Sequence, residues 1–312
     1  MRTVEGKSFG KIILLGEHSV VYGEPAIAIP FPSALITTKI SESIGSCQLK
    51  CFNYTGDLML APESLIGLVE LIKEIMKRLK QELINFDIEI ESTIPAERRM
   101  GSSAAVAAAT ARALYAYFDQ ALSDEELLDL VSISEKIVHG NPSGLDASIV
   151  VLEKPLYYIK GQAFEQFDFN LDAYLLVADT GEKGNTKFAV SSVKDFVDRD
   201  EKGKMYVSDL GQLVIDARKV FNDHDEIGLG NIMNKVQANL KALGVSNETL
   251  DKLVSVALAN GALGAKLTGG GLGGCMIALM KSEANAKKVS QALLANGAKN
   301  TWITEMKSEG VK

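Results

Sequence analysis

The stretch that most constrains this chain lies at residues 94–114, I-P-A-E-R-R-M-G-S-S-A-A-V-A-A-A-T-A-R-A-L. A polar loop ends at Met100-Gly101-Ser102-Ser103, and an alanine-rich helix begins. Ala104, Ala105, Ala107, Ala108 and Ala109 are strong helix formers with almost no side chain, so a neighbouring sheet can pack close. The first turn of a helix presents unpaired N–H groups and the positive end of the macrodipole, which together attract phosphate. Gly101 has no Cβ to hold a ligand away, and the hydroxyls of Ser102 and Ser103 can reach a phosphate or its metal ion. The competing reading is a capped, buried alanine helix with no ligand. Just ahead, residues 86–91 alternate strictly between apolar and acidic, which predicts a half-buried strand. The order is therefore strand, loop, helix.

Upstream, Lys11-Ile12-Ile13-Leu14-Leu15 is a short apolar run that reads as a buried strand. It leads into Gly16-Glu17-His18-Ser19, a polar loop on a rigid edge and either a site loop or a plain turn. Further strands are expected at residues 26–29 and 35–40. Apolar residues at helical spacing predict a helix within 63–83. Ser123-Asp124-Glu125-Glu126 is a capping box that opens a helix to about Val138, which Gly140 would end. His139 is either part of that cap or a ligand contact. After Asn141-Pro142-Ser143-Gly144-Leu145-Asp146, strands are expected near 148–152 and 155–160.

A buried strand at 174–178 runs into a polar loop at 179–186, and helices then dominate to about Asn260. Strands return near 262–267, 275–280 and 298–304, with a helix between the last two. This mixture argues α+β, not a doubly wound sheet. Gly269, Gly271 and Gly274 satisfy G-x-G-x-x-G, but Cys275-Met276-Ile277-Ala278-Leu279 reads as a strand where a dinucleotide fingerprint needs a helix. A glycine-rich bend between strands can still bring N–H groups against phosphate or shape a tight pocket.

A chain of 312 residues can hold two domains, and we expect a boundary near 170, giving 1–170 and 171–312. Its net charge of −7 and lack of a basic run exclude a nucleic-acid partner, so an anionic substrate must be held by local groups. Cys47, Cys51 and Cys275 lack metal-ligand spacing and suit a reducing compartment. The first ten residues are too polar for a signal peptide, and no apolar run approaches the ~18 residues a membrane helix needs. A cytoplasmic protein with no membrane partner is expected.

Four of these stretches together resemble the GHMP kinases. The family's P-x-x-x-G-x-G-S-S-A-A loop matches residues 95–105, and its glycine-rich third motif looks like 266–274. Residues 11–23, K-I-I-L-L-G-E-H-S-V-V-Y-G, and 139–146, H-G-N-P-S-G-L-D, are similar to the mevalonate-phosphorylating branch. Arg99 stands where the family usually has glycine and Met100 where leucine is common. Arginine does not readily take positive φ, so the loop's first turn is expected to differ.

The resemblance implies an α+β two-domain fold. An N-terminal α/β domain, similar to a ribosomal-protein fold, would bind nucleotide; the C-terminal domain would be ferredoxin-like, with the site in the cleft between them. It implies ATP and Mg²⁺ as cofactors and mevalonate as the small-molecule substrate, and it leaves a homodimer open. Backbone groups of Gly101, Ser102, Ser103 and Ala104 would cradle the ATP phosphates. Ser103 and Glu135 would hold Mg²⁺, an oxygen setting that suits this hard cation. Asp146 would face the attacking hydroxyl with Lys11 beside it, and Glu17, His18, Ser143 and Thr186 would line the substrate site. The residues alone leave Glu135 as a solvated helix residue and Asp146 as a cap. Two rivals stand beside this reading: a related kinase acting on a sugar or amino-acid alcohol, and a catalytically silent nucleotide sensor. A sensor has no need of both Lys11 and Asp146.

Overall fold

In the computed structural model, which describes residues 2–93, 102–140, 142–168 and 170–307, the chain opens on a strand much longer than its apolar run. Strand β1 (Thr3–Leu15) buries alternate residues in its first half and nearly every residue from Ser8 on. Its polar first half has only one face covered. β2 (Ala26–Ser46) joins the two strands expected at 26–29 and 35–40 into one. Pro30 and Pro32 lie within it, as a proline is tolerated in a strand where its missing N–H is not needed by a neighbour.

The chain divides into two units, Met1–Lys11 with Pro30–Glu153, and Ile12–Ile29 with Lys154–Lys312. β1 and β2 each pass from one unit into the other, so this division follows a different line from the single cut expected near residue 170.

In the first unit, β3 (Gln48–Cys51) and β4 (Tyr54–Asp57) form a hairpin, and β5 (Ile84–Ser92) lies parallel to β3 and antiparallel to β2. Strand order is β4-β3-β5-β2, and β1 also pairs with β2. Against this sheet lies α2 (Ser102–Tyr117), and α1 (Ile66–Leu79), α3 (Asp124–His139) and α4 (Leu145–Leu152) pack on it and among themselves. The alanines of α2 do what their size predicts. A Cβ built on Gly6 of β1 would stand 2.3 Å from the Ala109 carbonyl oxygen and 2.3 Å from the Ala113 nitrogen. Strand and helix backbones touch there, and only glycine fits. Between the same layers the buried hydroxyls of Thr38 and Thr110 hydrogen-bond at 3.2 Å. Ser123 caps α3 as the sequence predicted, accepting from the Glu126 N–H at 3.2 Å, and Gly140 ends it at φ 73°.

One expectation fails here. Residues 148–152 are not a strand but the end of α4, whose Ala147, Ser148, Ile149, Val150 and Val151 are all buried. α4 packs against α2 and α3, and a short helix covered on all sides shows the same unbroken apolar run as a buried strand.

In the second unit, residues 26–28 of β2 pair with β6 (Leu156–Tyr158), which pairs with β7 (Glu165–Gln166). A separate antiparallel sheet has the order β11-β8-β10-β9, from β8 (Asn170–Asp179), β9 (Gly264–Thr268), β10 (Cys275–Met280) and β11 (Asn300–Lys307). Helices α5 (Thr186–Arg199), α6 (Glu201–Asn222), α7 (Glu226–Ala242) and α8 (Glu248–Ala259) fill the first crossover, and α9 (Glu283–Ala295) the second. This is the β-α-β-β-α-β ferredoxin-like arrangement that the resemblance implied. Residues 275–279 are a strand, so the glycine triplet before them is no dinucleotide fingerprint. Among the described residues no helix is long and apolar enough to cross a membrane.

Candidate active site

α2 begins at Ser102, with Ser102 and Ser103 half-buried in its first turn and Ala104 fully buried beneath them. Their N–H groups are those a helix leaves unpaired at its start. Gly101, with the loop 94–100 that carries Arg99 and Met100, lies outside the described residues, as do Asn141 and the side chain of His139.

In the same unit a cleft of about 220 Å³ is lined by Ser132, Glu135, Pro142, Ser143, Gly144, Asp146 and Ala147. It brings together three of the expected site residues from two helices and the turn between them. Glu135 is only 4% exposed, so it is not a solvated helix residue. Asp146 lies in the first turn of α4, where a carboxylate is favoured by the helix dipole. It is more than a cap: its Oδ1 is 2.9 Å from the ammonium of Lys11, which reaches it from β1. The lysine side chain is 7% exposed and the aspartate's 38%, so the ammonium is enclosed while the carboxylate keeps an open side. The hydroxyl of Ser143 accepts the Leu145 N–H at 3.3 Å and so starts α4. Ser102 and Ser103 are not among the residues that line the cleft.

The second unit gathers the remaining residues around the glycine-rich bend. Glu17 is 1% exposed and ion-paired with Lys266, a lysine with no exposure at all, whose Nζ also donates to the Leu267 carbonyl at 2.7 Å. Burial pushes the Lys266 ammonium below its ordinary pKa, against the opposing pull of Glu17. The His18 ring faces the Gly270 carbonyl at 3.0 Å. A carbonyl can only accept, so Nε2 carries the proton. Burial holds this imidazole below its usual pKa, with the Gly270 carbonyl pulling the other way.

Thr186 opens α5, whose cap is Asn185 accepting the Phe188 N–H at 3.1 Å. The loop ahead of it is tied to the bend. Thr180 Oγ1 donates to the Gly274 carbonyl at 2.7 Å, and the Gly274 N–H donates to the Glu182 carbonyl at 2.9 Å. The Glu182 carboxylate accepts from Asn247 at 2.7 Å and from Thr249 at 2.6 Å. Gly271 is the position that only glycine can fill: at φ 70°, a Cβ there would meet the Val245 carbonyl oxygen at 2.1 Å. The structure thus places Glu17 and His18 beside the bend and ties to it the loop that leads to Thr186.

Sequence reasoning overlooked Lys266, Thr180 and Glu182. The signal for Lys266 was available: a lysine inside Gly-Ala-Lys-Leu-Thr, an otherwise apolar strand, needs a buried partner.

The model of the GHMP kinases N terminal domain matches residues 70–154, and that of the GHMP kinases C terminal domain matches 217–299. The mevalonate kinase of Pyrococcus abyssi is 32% identical over 333 aligned residues, covering 100% of this chain and 98% of that protein. The crystal structure of mevalonate kinase from methicillin-resistant Staphylococcus aureus is 32% identical with a TM-score of 0.79, over 98% of this chain and 100% of that one. L. major mevalonate kinase, solved in complex with R-mevalonate, is 26% identical with a TM-score of 0.82, over 97% of this chain and 96% of that one.

Proposed function

The chain belongs to the GHMP kinase family, and from that premise we propose that it catalyses ATP- and Mg²⁺-dependent phosphorylation of (R)-mevalonate to 5-phosphomevalonate, in isoprenoid biosynthesis. The observation that carries the reading is the Lys11–Asp146 pair beside the cleft that Glu135 also lines. Phosphoryl transfer asks for positioning and for charge at set places, with little covalent chemistry from the protein.

Asp146 presents its open carboxylate to the attacking hydroxyl, orienting it and accepting its proton. Lys11 holds that carboxylate in place, and its ammonium favours negative charge growing on the transferring group. The first N–H groups of α2, with Gly101, Ser102, Ser103 and Ala104, cradle the phosphates of ATP. His18, Ser143 and Thr186 line the mevalonate end of the site, with Glu17 in the turn that carries His18.

Ser103 and Glu135 would hold Mg²⁺. The donors are hydroxyl and carboxylate oxygen only, which suits this ion. Among the described residues no group of three His, Cys, Asp or Glu is placed to cage a metal, as fits an ion that keeps water and phosphate oxygens as ligands. When bound it would neutralise phosphate charge. We assign residues 1–170 to the nucleotide-binding half and 171–312 to the ferredoxin-like half. We place the enzyme in the cytoplasm, where Cys47, Cys51 and Cys275 remain free thiols.

An ADP-release assay run with mevalonate, phosphomevalonate, galactose and homoserine tests the reading. Mevalonate is expected to lead by orders of magnitude, because a site built to pair buried polar groups rejects analogues that leave them unpaired. Equal or better turnover of galactose or homoserine would overturn it.

A further inference from the structure

Residues 17–19 form a turn that side chains rarely adopt. The Ser19 N–H donates to the Glu17 carbonyl at 2.7 Å, closing a three-residue ring around His18. His18 sits at its apex with φ 62° and ψ −44°. This is the γ-turn of the rarer, strained hand. A residue held in such a conformation persists only where its surroundings over-determine it.

The surroundings here are one short segment of the chain. Between Lys266 and Gly270 it grips the end of β1 and the turn after it at three points. Thr268 Oγ1 donates to the Ile13 carbonyl at 2.8 Å, Lys266 pairs with Glu17, and the Gly270 carbonyl takes the His18 ring N–H at 3.0 Å. Both side chains of the Lys266–Glu17 pair have 0% exposure. Desolvating two charges is costly, and apolar residues of similar volume would fill the same space without that cost. What an apolar pair cannot supply is direction. A carboxylate fixed by an ammonium sets the rotation of the residue immediately before His18.

We propose that Lys266 and Glu17 are a positioning pair: they lock the γ-turn that sets the His18 imidazole against Gly270. Glu17 then serves the site through His18, not by touching a ligand. The assignment rests on the kinase reading above, in which His18 lines the mevalonate end of the site.

The double variant Lys266→Met/Glu17→Leu tests it, since replacing a buried ion pair with apolar residues is often neutral for stability. The chain has 3 histidines, so the His18 imidazole can be followed singly by NMR. We expect melting within roughly 4 °C of wild type, and a His18 titration that moves up toward the ordinary value of about 6.5. In the same variant kcat/KM for mevalonate should fall about tenfold or more, with the KM for ATP changed by less than about twofold. A double variant that melts like wild type, with His18 titration and kcat/KM both unchanged, would show the pair to be inert core and overturn the proposal.

Lys266→Met/Glu17→Gln covers the case in which the apolar double variant does not fold, because it breaks the pair and removes both charges while keeping the shape of residue 17. It should move the His18 titration in the same direction, and an unmoved titration would equally overturn the proposal. The NMR arm contains no substrate. If His18 moves as expected but the wild type does not phosphorylate mevalonate, the functional reading falls and the positioning role stands.

Discussion

Asp146→Asn and Lys11→Met break one ion pair from its two ends, and burial dictates that the two breaks differ. The pair meets at 2.9 Å with the lysine side chain 7% exposed and the aspartate's 38%. In Asp146→Asn the enclosed ammonium remains, facing an amide that offers a weaker hydrogen bond and no charge. Leaving a buried charged donor poorly matched costs about 1–3 kcal/mol. In Lys11→Met the thioether keeps most of the packing, and the carboxylate left behind has an open side and sits in the first turn of α4. Water and the helix N-terminus, the latter contributing about 0.3–1 kcal/mol, hold that charge without the lysine. The expected order of melting temperature is wild type, then Lys11→Met close behind, then Asp146→Asn. At roughly 2–4 °C per kcal/mol, a thermal melt resolves the difference. Activity should follow a different order. Removing the group that takes the hydroxyl's proton costs about a hundredfold or more in kcat, equivalent to about 2.7 kcal/mol of transition-state stabilisation. Lys11→Met should also act mainly on kcat, with the KM for ATP near wild type in both. The assay is steady-state ADP release at saturating ATP and mevalonate. Turnover by Asp146→Asn within a few fold of wild type would refute the proton-accepting role. A larger loss of stability in Lys11→Met than in Asp146→Asn would refute the burial argument.

Other perturbations test other parts of the molecule. Glu135→Gln keeps the volume of a residue that is 4% exposed, so melting should change little, while the Mg²⁺ concentration for half-maximal rate rises and kcat falls; near-normal rates at limiting Mg²⁺ would count against the ligand role. Gly6→Ala puts a Cβ 2.3 Å from helix backbone atoms that cannot give way cheaply, so a drop of about 1–3 kcal/mol in urea unfolding is expected, and an unchanged midpoint would mean strand and helix can separate freely. His18 is held below its ordinary pKa by burial, so the folded chain binds that proton less readily than the unfolded one. Its stabilising contribution is complete above about pH 6.5 and is lost as pH falls through that value toward the folded pKa. Wild type should therefore lose more stability than His18→Asn between pH 7 and pH 5.5, as read by denaturant midpoints, whereas parallel losses would rule His18 out as the source.

What sequence reveals here divides along the range of the interactions. The Ser123 cap, the Gly140 helix end and the strand after the glycine bend depend on neighbours a few residues away, and each is where its pattern puts it. The ferredoxin-like order was legible only through the family likeness, but the element sequence beneath it was readable from periodicity. The helix at Leu145–Leu152 was not. Its buried Ile149, Val150 and Val151 are β-branched, and local preference points to a strand. What decides the matter is the cover supplied by α2 and α3, which no local window contains.

The candidate site shows the same division more sharply. Lys11, Glu135 and Asp146 announce themselves as charges in patterns that otherwise read as strand, helix and cap, and the structure sets Glu135 and Asp146 in one cleft with Lys11 bonded to the latter. Glu17 announces itself equally well, yet the charge that answers it lies 249 residues away in the chain. The loop alone makes Glu17 look available to a ligand. Only the fold shows that its carboxylate is sealed against Lys266. A charged residue in a motif therefore signals a strong local demand on electrostatics, and whether a ligand or a buried lysine meets that demand is decided by the sheet behind it.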